Sequence, residues 1–344
     1  MHMADALLSP AVAAAMWAGS VTAIGYSSKK LKQNVDNKII PLMGAMGAFI
    51  FSAQMINFTI PITGSSGHIG GGMILAITLG PYAAFLTMAS ILTVQALFFA
   101  DGGLLALGCN IWNLGIYPCF LVYPLIYKLI AGNDMGTKRI SIAAIVSVIV
   151  ALQLGAFSVV LETLLSGKTE LPFGTFALLM QTIHLAIGLV EGIITAGIIN
   201  YVKKIRPEIL DAVSFSKPVE ASISIKNVLM AFVIVAVVTG GFLSWFASTH
   251  PDGLEWSIEK VTGQVELAEA TEGIAPVFRG IQKKTAFLND YNFKQETGGK
   301  LEENEAHAWP GVEAATSVAG VLGGVIVLMF ISFIGLGIRF FKKR

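Results

Sequence analysis

The chain has 344 residues, of which 54% are hydrophobic and 13% charged, with a mean hydropathy of +0.71. Soluble domains carry about one quarter charged residues, so this composition lacks the polar surface of a soluble fold and specifies a membrane protein. A net charge of +1 argues against a polyanion partner.

A helix that crosses a bilayer needs about 20 mostly apolar residues, because lipid offers no partner to a free backbone N–H or C=O. Such runs are expected at 9–27, 39–58, 70–83, 84–100, 104–128, 140–165, 176–202, 226–246 and 316–338, an all-α bundle of seven plus two spans. Gly80-Pro81 divides the long apolar stretch 70–100. Counting Lys and Arg on alternate sides puts sixteen on one face and seven on the other. Six of those seven lie in the long 247–315 segment, which leaves Lys168 alone among the short loops. Cytoplasmic loops are the basic ones, so the N-terminus is expected outside and the C-terminus in the cytoplasm. The same count requires 70–100 to cross twice. Cys109 and Cys119 are separated by ~15 Å of helix rise, too far for a disulfide, and read as core.

Composition divides the chain into a seven-helix unit at 1–204, a polar cytoplasmic linker at 205–225 with Pro207 and Pro218, and a two-helix unit at 226–344. The external loop of that last unit, 247–315, holds twelve acidic and six basic residues. Modest structure is expected there, with mobile stretches such as Glu296–Glu305.

Chemistry is expected first at Met1-His2. No Lys or Arg precedes the first apolar run, Asp5 does, and Lys29-Lys30 follow it, a pattern unlike a cleaved signal peptide. A retained Met1 offers a metal three nitrogens from two residues: the α-amine, the deprotonated His2 amide and His2 Nδ1, closing five- and six-membered chelate rings. A fourth nitrogen would complete a square, a geometry that suits Ni(II) or Cu(II) better than Zn(II). The Gly-rich loop Pro61–Gly72, on the same outer face, carries His68 as its only metal-grade side chain. The bland alternative is a flexible turn with a hydrogen-bonded histidine.

Polar residues at membrane depth form a third set, including Gln54, Gln95, Asp101, Asn110, Asn113, Gln153, Glu162, His184 and Glu191. Such groups are costly in lipid and face a bundle interior or a cavity. Asn110 and Asn113 share a helical face and are candidates to fix a ligating histidine's tautomer, with Ser66 and Gln95 as further supporting residues. Gln153, Glu162 and Gln181 read as interhelical hydrogen-bond glue. His250 and His307 read as solvated loop histidines. There is no GxxxxGK[ST] loop and no HExxH, so the chain has no footing as an ATPase of the common kind or as a zinc protease.

Taken together, Met1-His2 with Asp5 and Ser9-Pro10, Gly67-His68 running into Gly70-Gly71-Gly72, Ala100-Asp101-Gly102-Gly103, Leu107-Gly108 with Asn110 and Asn113, and His184 through Glu191-Gly192 resemble a known family. It is the substrate-binding M component, CbiM/NikM, of nickel and cobalt energy-coupling-factor transporters. The likeness covers roughly residues 1–204. Pro251-Asp252-Gly253-Leu254-Glu255 in the remainder resembles the small N component, NikN/CbiN, fused here to the first. The resemblance implies a subunit that captures Ni2+ or Co2+ outside through the Met1 amine, His2 and His68. It also implies a transmembrane T component, CbiQ/NikQ-like, as partner, and CbiO/NikO-like cytoplasmic ATPases that drive release. No organic cofactor and no enzyme activity of its own are expected, and a nitrogen plane favours nickel. On the residues alone two other classes stay open, an ion-gradient-driven metal transporter and a metal-binding membrane scaffold.

Overall fold

The computed structural model describes residues 2–33, 38–132, 136–214, 225–265, 267–268, 271–293 and 310–342. Met1, the stretch Glu296–Glu305 and His307 lie outside the described residues.

Seven helices build the first unit: α1 Pro10–Gln33, α2 Ile39–Gln54, α3 Gly72–Leu79, α4 Pro81–Phe99, α5 Leu107–Ala131, α6 Thr137–Ser166 and α7 Phe173–Ile205. The expected break at Gly80-Pro81 is present. Gly80 adopts φ 76°, open to glycine without strain, and Pro81 starts α4, where its missing N–H costs nothing. The α3 helix is much shorter than the run drawn at 70–83. Its eight residues rise only ~12 Å, because the chain ahead of it turns back as a glycine-rich loop. In α5, Trp112–Tyr127 winds with i→i+5 bonds around Pro118 and Pro124, each of which removes an amide donor from the ladder.

Five helices among the described residues are long and apolar enough to cross a membrane: Pro81–Phe99, Leu107–Ala131, Thr137–Ser166, Phe173–Ile205 and Ala314–Ile338. Ile39–Gln54 and Lys226–Gly241 are apolar but shorter. The α1 helix has the length and is diluted by Ala, Gly, Ser and Thr.

One departure from an all-helical chain is a small antiparallel hairpin, β1 Phe58–Ile60 paired with β2 Ser65–Gly67, with Ile60 opposite Ser65 and Phe58 opposite Gly67. The stretch expected as linker also departs. It begins with a helix, α8 Pro207–Ser214, whose Ile209 and Leu210 are buried, because its alternation of apolar and polar residues gives it a face to fold against α3 and α7.

The second unit contributes α9 Lys226–Gly241 and α12 Ala314–Lys342, which both pack on α2. They meet where Gly240 faces Gly320, so closely that a Cβ on Gly240 would lie 2.9 Å from the Gly320 Cα. Lipid gives helices no hydrophobic reason to associate, so this backbone approach and the dispersion contacts it allows hold the pair. Between them the segment expected to lie outside, called the external segment, folds more than its composition suggests, into α10 Gly253–Thr262, α11 Ala275–Thr285 and a single turn at Asn289–Tyr291. The sequence signal for α10 is Asp252-x-x-Glu255. Asp252 accepts from the Leu254 and Glu255 amides, and Glu255 accepts from the Asp252 amide, closing a capping box.

Candidate metal site

Residues 2–4 run extended into the top of the bundle, followed by one turn at Asp5–Leu7, and Met3, Leu7 and Leu8 are buried. Main-chain hydrogen bonds pin this segment. The Met3 amide donates to Asn110 Oδ1 at 2.8 Å, and the Met3 carbonyl accepts from the Gly103 amide at 3.0 Å. Asp5 Oδ1 accepts from the Ala106 amide at 2.9 Å. Gly103 makes this possible, since a Cβ there would overlap the Asp5 carboxylate and approach the Asp5 nitrogen to 2.7 Å. The Ala100–Gly103 turn is thus a cradle shaped for the chain's first residues.

His68 follows β2 and meets this segment from the side. The His2 and His68 rings are 5.2 Å apart between centroids and tilted by 31°. His68 Nδ1 donates to the Ile69 carbonyl at 3.3 Å, which leaves the lone pair on Nε2. Burial, together with the nearby His2 ring, pushes the His68 pKa down to about 3, so the ring is neutral at physiological pH.

The loop behind His68 is clamped from within the bundle. Glu191 of α7 accepts from the Gly70 and Gly71 amides, 2.9 Å each, one on each carboxylate oxygen. Gln54 Nε2 donates to the Gly70 carbonyl at 2.8 Å, and Gln95 Nε2 to Gln54 Oε1 at 2.9 Å. Gly71 sits at φ 77°, and a Cβ there would lie 2.6 Å from Ile50, so the clamp demands glycine.

His2 Nδ1 lies 2.6 Å from Asp101 Oδ1, and the other carboxylate oxygen accepts from the Tyr291 hydroxyl at 2.5 Å. Burial alone would raise the Asp101 pKa. The His2 ring, its hydrogen bond, the Tyr291 hydroxyl and His68 outweigh that and hold it at about 2. Burial and the Asp101 charge raise Tyr291 well above the ordinary phenol range. His2 Nε2 is buried with no hydrogen-bond partner among the described residues. A cavity of about 480 Å³ opens here between bundle and external segment, lined among others by His2, His68, Asp101, Asp252, Glu255 and Tyr291.

The external segment closes on β2. The Ser66 amide donates to the Pro251 carbonyl at 2.8 Å, and Ser66 Oγ donates to the His250 carbonyl at 2.7 Å. Trp256 Nε1 donates to the Thr63 carbonyl at 2.9 Å. His250 enters through its carbonyl only, its side chain being exposed.

Four supporting residues expected from sequence therefore have different partners from those foreseen. Asn110 holds Met3 main chain and Asn113 donates to Glu162, so neither orients a histidine ring in this arrangement. Ser66 fastens the external segment, and Gln95 acts at the end of the loop clamp. Gln153 and Gln181 donate reciprocally to each other's carbonyls, tying α6 to α7. Sequence reasoning had no role for Asp101, Asp252, Glu191 or Tyr291. Asp101 and Glu191 carried a signal as acids at membrane depth, Asp252 as a helix N-cap, and Tyr291 none. Among the described residues no three His, Cys, Asp or Glu side chains converge as a metal-ligand set.

Residues 2–209 match the CbiM family, described as the cobalt uptake substrate-specific transmembrane region. The chain belongs to the CbiM family. Residues 226–340 of this CbiM-family chain match a second family, the PDGLE domain, whose letters are Pro251–Glu255. A relative from Archaeoglobus fulgidus, named as a fused nickel transport protein NikMN, is 32% identical and covers 95% of this chain and 96% of its own length. The fused nickel transport protein NikMN of Rhodobacter capsulatus is 28% identical, covering 80% of this chain and 82% of its own. A crystal structure of a transition metal transporter superposes with a TM-score of 0.52 at 34% identity, over 60% of this chain and 93% of the other. This is a membrane protein of the nickel and cobalt transport family.

Proposed function

We propose that the chain is the substrate-capture subunit of an ATP-driven importer of the energy-coupling-factor type in a prokaryotic plasma membrane. In this reading it takes Ni2+, or Co2+, at the outer face. The ion is ligated by the Met1 amine, the His2 main-chain nitrogen, the His2 ring and His68 Nε2. The observation that carries the reading is the burial of Met3, Asp5, Leu7 and Leu8 in a cradle that sets the His2 ring 5.2 Å from His68. A disordered tail would lose that preorganisation and much of its affinity. Supporting it, His68 stays neutral and keeps its lone pair, the form a metal requires.

The six-membered chelate uses His2 Nδ1, the nitrogen that faces Asp101 here, so loading rotates the ring away from that carboxylate. The anion left beside the site offsets the charge of the cation. Four nitrogens in a plane favour nickel over cobalt. The chain lacks a phosphate-binding loop, so a transmembrane T component and CbiO/NikO-like ATPase chains would supply the energy.

The test is bound metal under equal nickel and cobalt supply, for the authentic chain and for a version with one alanine inserted between Met1 and His2. The insertion keeps every side chain and enlarges the chelate by a peptide unit. Nickel in the first and its loss in the second is the expected result. Equal binding by both would overturn joint ligation by the amine and His2.

A further inference from the structure

Metal capture gives no role to one face of α11. The helix is fastened to the bundle by Ala275, which clusters with Ala13 and Leu105 and has Phe278 packed against it. Gln282 fastens it again, its Nε2 donating to the Ala96 carbonyl at 2.9 Å and to the Gly102 carbonyl at 2.8 Å. Just beyond the helix, the Phe287 ring lies 5.8 Å from that of Phe98. These contacts fix the height of α11. Pro81–Phe99 is long and apolar enough to cross a membrane. It rises about 28 Å, close to the ~30 Å of a hydrocarbon core, so its ends mark the edges of that core. Ala96 is about 4.5 Å inside one end, so α11 lies where acyl chains give way to headgroups.

At about 100° per residue, α11 divides into three sectors. Ala275, Phe278 and Gln282 face the bundle. Pro276, Gly280 and Lys283 form the second, where a Cβ on Gly280 would meet nothing within 4 Å and Lys283 borders the large cavity. Ile274 at the N-cap, Val277 and Ile281 form the third, exposed by 46%, 59% and 44%. Thr285, at the edge of that sector, turns its hydroxyl back to the Ile281 carbonyl at 3.2 Å. Beside the anchoring Ala13, residues Ala11, Ala14 and Ala15 are exposed on α1, so the lateral surface of the bundle begins where α11 packs. Three half-exposed side chains offer far less than the about 800 Å² per partner of a stable protein interface. They do fit the edge of a bilayer, which this chain already occupies.

We infer that α11 is an interfacial helix, with Ile274, Val277 and Ile281 seated among the phospholipid headgroups and upper acyl chains on the membrane face that carries His2 and His68. Amphipathic helices bury such a sector about 5–10 Å into that boundary, and a lysine flanking it, here Lys284, reaches back toward the phosphates. The lipid surface then supports the helix whose Gln282 holds the Gly102 carbonyl, part of the turn that cradles the chain's first residues. None of these observations depends on a bound metal.

The test uses the full chain in nanodiscs of phosphatidylcholine, whose lack of net charge leaves the depth of the helix to its apolar side chains. Bimane is attached at Val277→Cys, Ile281→Cys or Gly280→Cys, the native Cys109 and Cys119 being buried. Phosphatidylcholine with a doxyl group near the glycerol end of one acyl chain quenches from the lipid, and iodide quenches from the water. At 277 and 281 the lipid quencher is expected to dim bimane about twofold or more while iodide does little, and at 280 the order should reverse. Iodide quenching at 277 and 281 equal to that at 280 overturns the inference, because the face is then solvated. Protection of 277 and 281 from both quenchers also overturns it, and places a second copy or another protein on that face. Hydrogen exchange in α11 gives a label-free check. Val277→Ser/Ile281→Ser, which removes two lipid-seated side chains, should speed it about tenfold over the wild type. An unchanged rate, as expected of a solvated face, overturns the inference as well.

Discussion

Replacing Glu191 by Gln tests how the loop that carries His68 is held, without touching any proposed ligand. Glu191 accepts two consecutive amides, from Gly70 and Gly71, at 2.9 Å each. Each carboxyl oxygen accepts one amide in this arrangement. Glutamine keeps one oxygen and turns an amide donor toward the other N–H. One hydrogen bond is lost, about 0.5–1.5 kcal/mol, and a buried donor is stranded at about 1–3 kcal/mol. A combined loss near 3 kcal/mol is about two decades in the equilibrium between the clamped loop and looser forms. Nickel affinity should then fall roughly tenfold to a hundredfold, the fraction set by how fully the wild-type loop is clamped. Isothermal titration gives the affinity, and hydrogen exchange at Gly70 and Gly71 gives the state of the loop without metal. Wild-type protection of those two amides in the variant would refute the clamp. Lost protection with unchanged nickel affinity would refute the idea that this loop supplies a ligand.

Three further outcomes are expected. Gly103→Ala puts a methyl group where the Asp5 carboxylate lies and 2.7 Å from the Asp5 nitrogen, so residues 2–7 should leave the cradle; hydrogen exchange there should rise and nickel binding should be lost with little change in helix content. Acidification should lower the unfolding temperature of the metal-free protein in detergent. The sign follows from His68, since below its ordinary 6.5 the unfolded chain gains a proton that the folded ring refuses until about 3, and stability is lost across that window. Asp101 adds a loss between 3.8 and about 2 for the same reason, its folded form holding the proton more weakly; His68→Asn should flatten the upper part of the curve. Gly320→Leu cannot fit against Gly240, where even a Cβ would lie 2.6 Å from the Gly240 Cα, so α9 and α12 should separate from each other; an unchanged melting temperature would contradict that packing.

Much of the architecture was legible in the chain because bilayer physics leaves few choices. A run of apolar residues at membrane depth must be a helix, and Gly80-Pro81 must interrupt one. The eight-residue α3 was not legible, since the same apolar letters serve a full span and a half-length helix buried by its neighbours. Nor was the hairpin at 58–67, whose three-residue strands are too short to show a period.

The candidate site divides in the same way. His2 and His68 stood out because imidazole is rare in this chain and each lies beside main chain suited to close approach, one at a terminus and one among glycines. Spacing within the sequence could not reveal that Asn110 would grip Met3, Glu191 the Gly70–Gly71 amides, or Tyr291 the carboxylate that faces His2. Those contacts join residues 107, 121, 120 and 190 positions apart. Such distances along the chain are closed only when α5, α7 and the external segment converge. Local composition therefore determined that this is a helical membrane protein and singled out two histidines as candidate ligands. Tertiary packing alone decided how they face one another, because hydrogen-bond partners at that range are chosen by the fold and leave no local pattern.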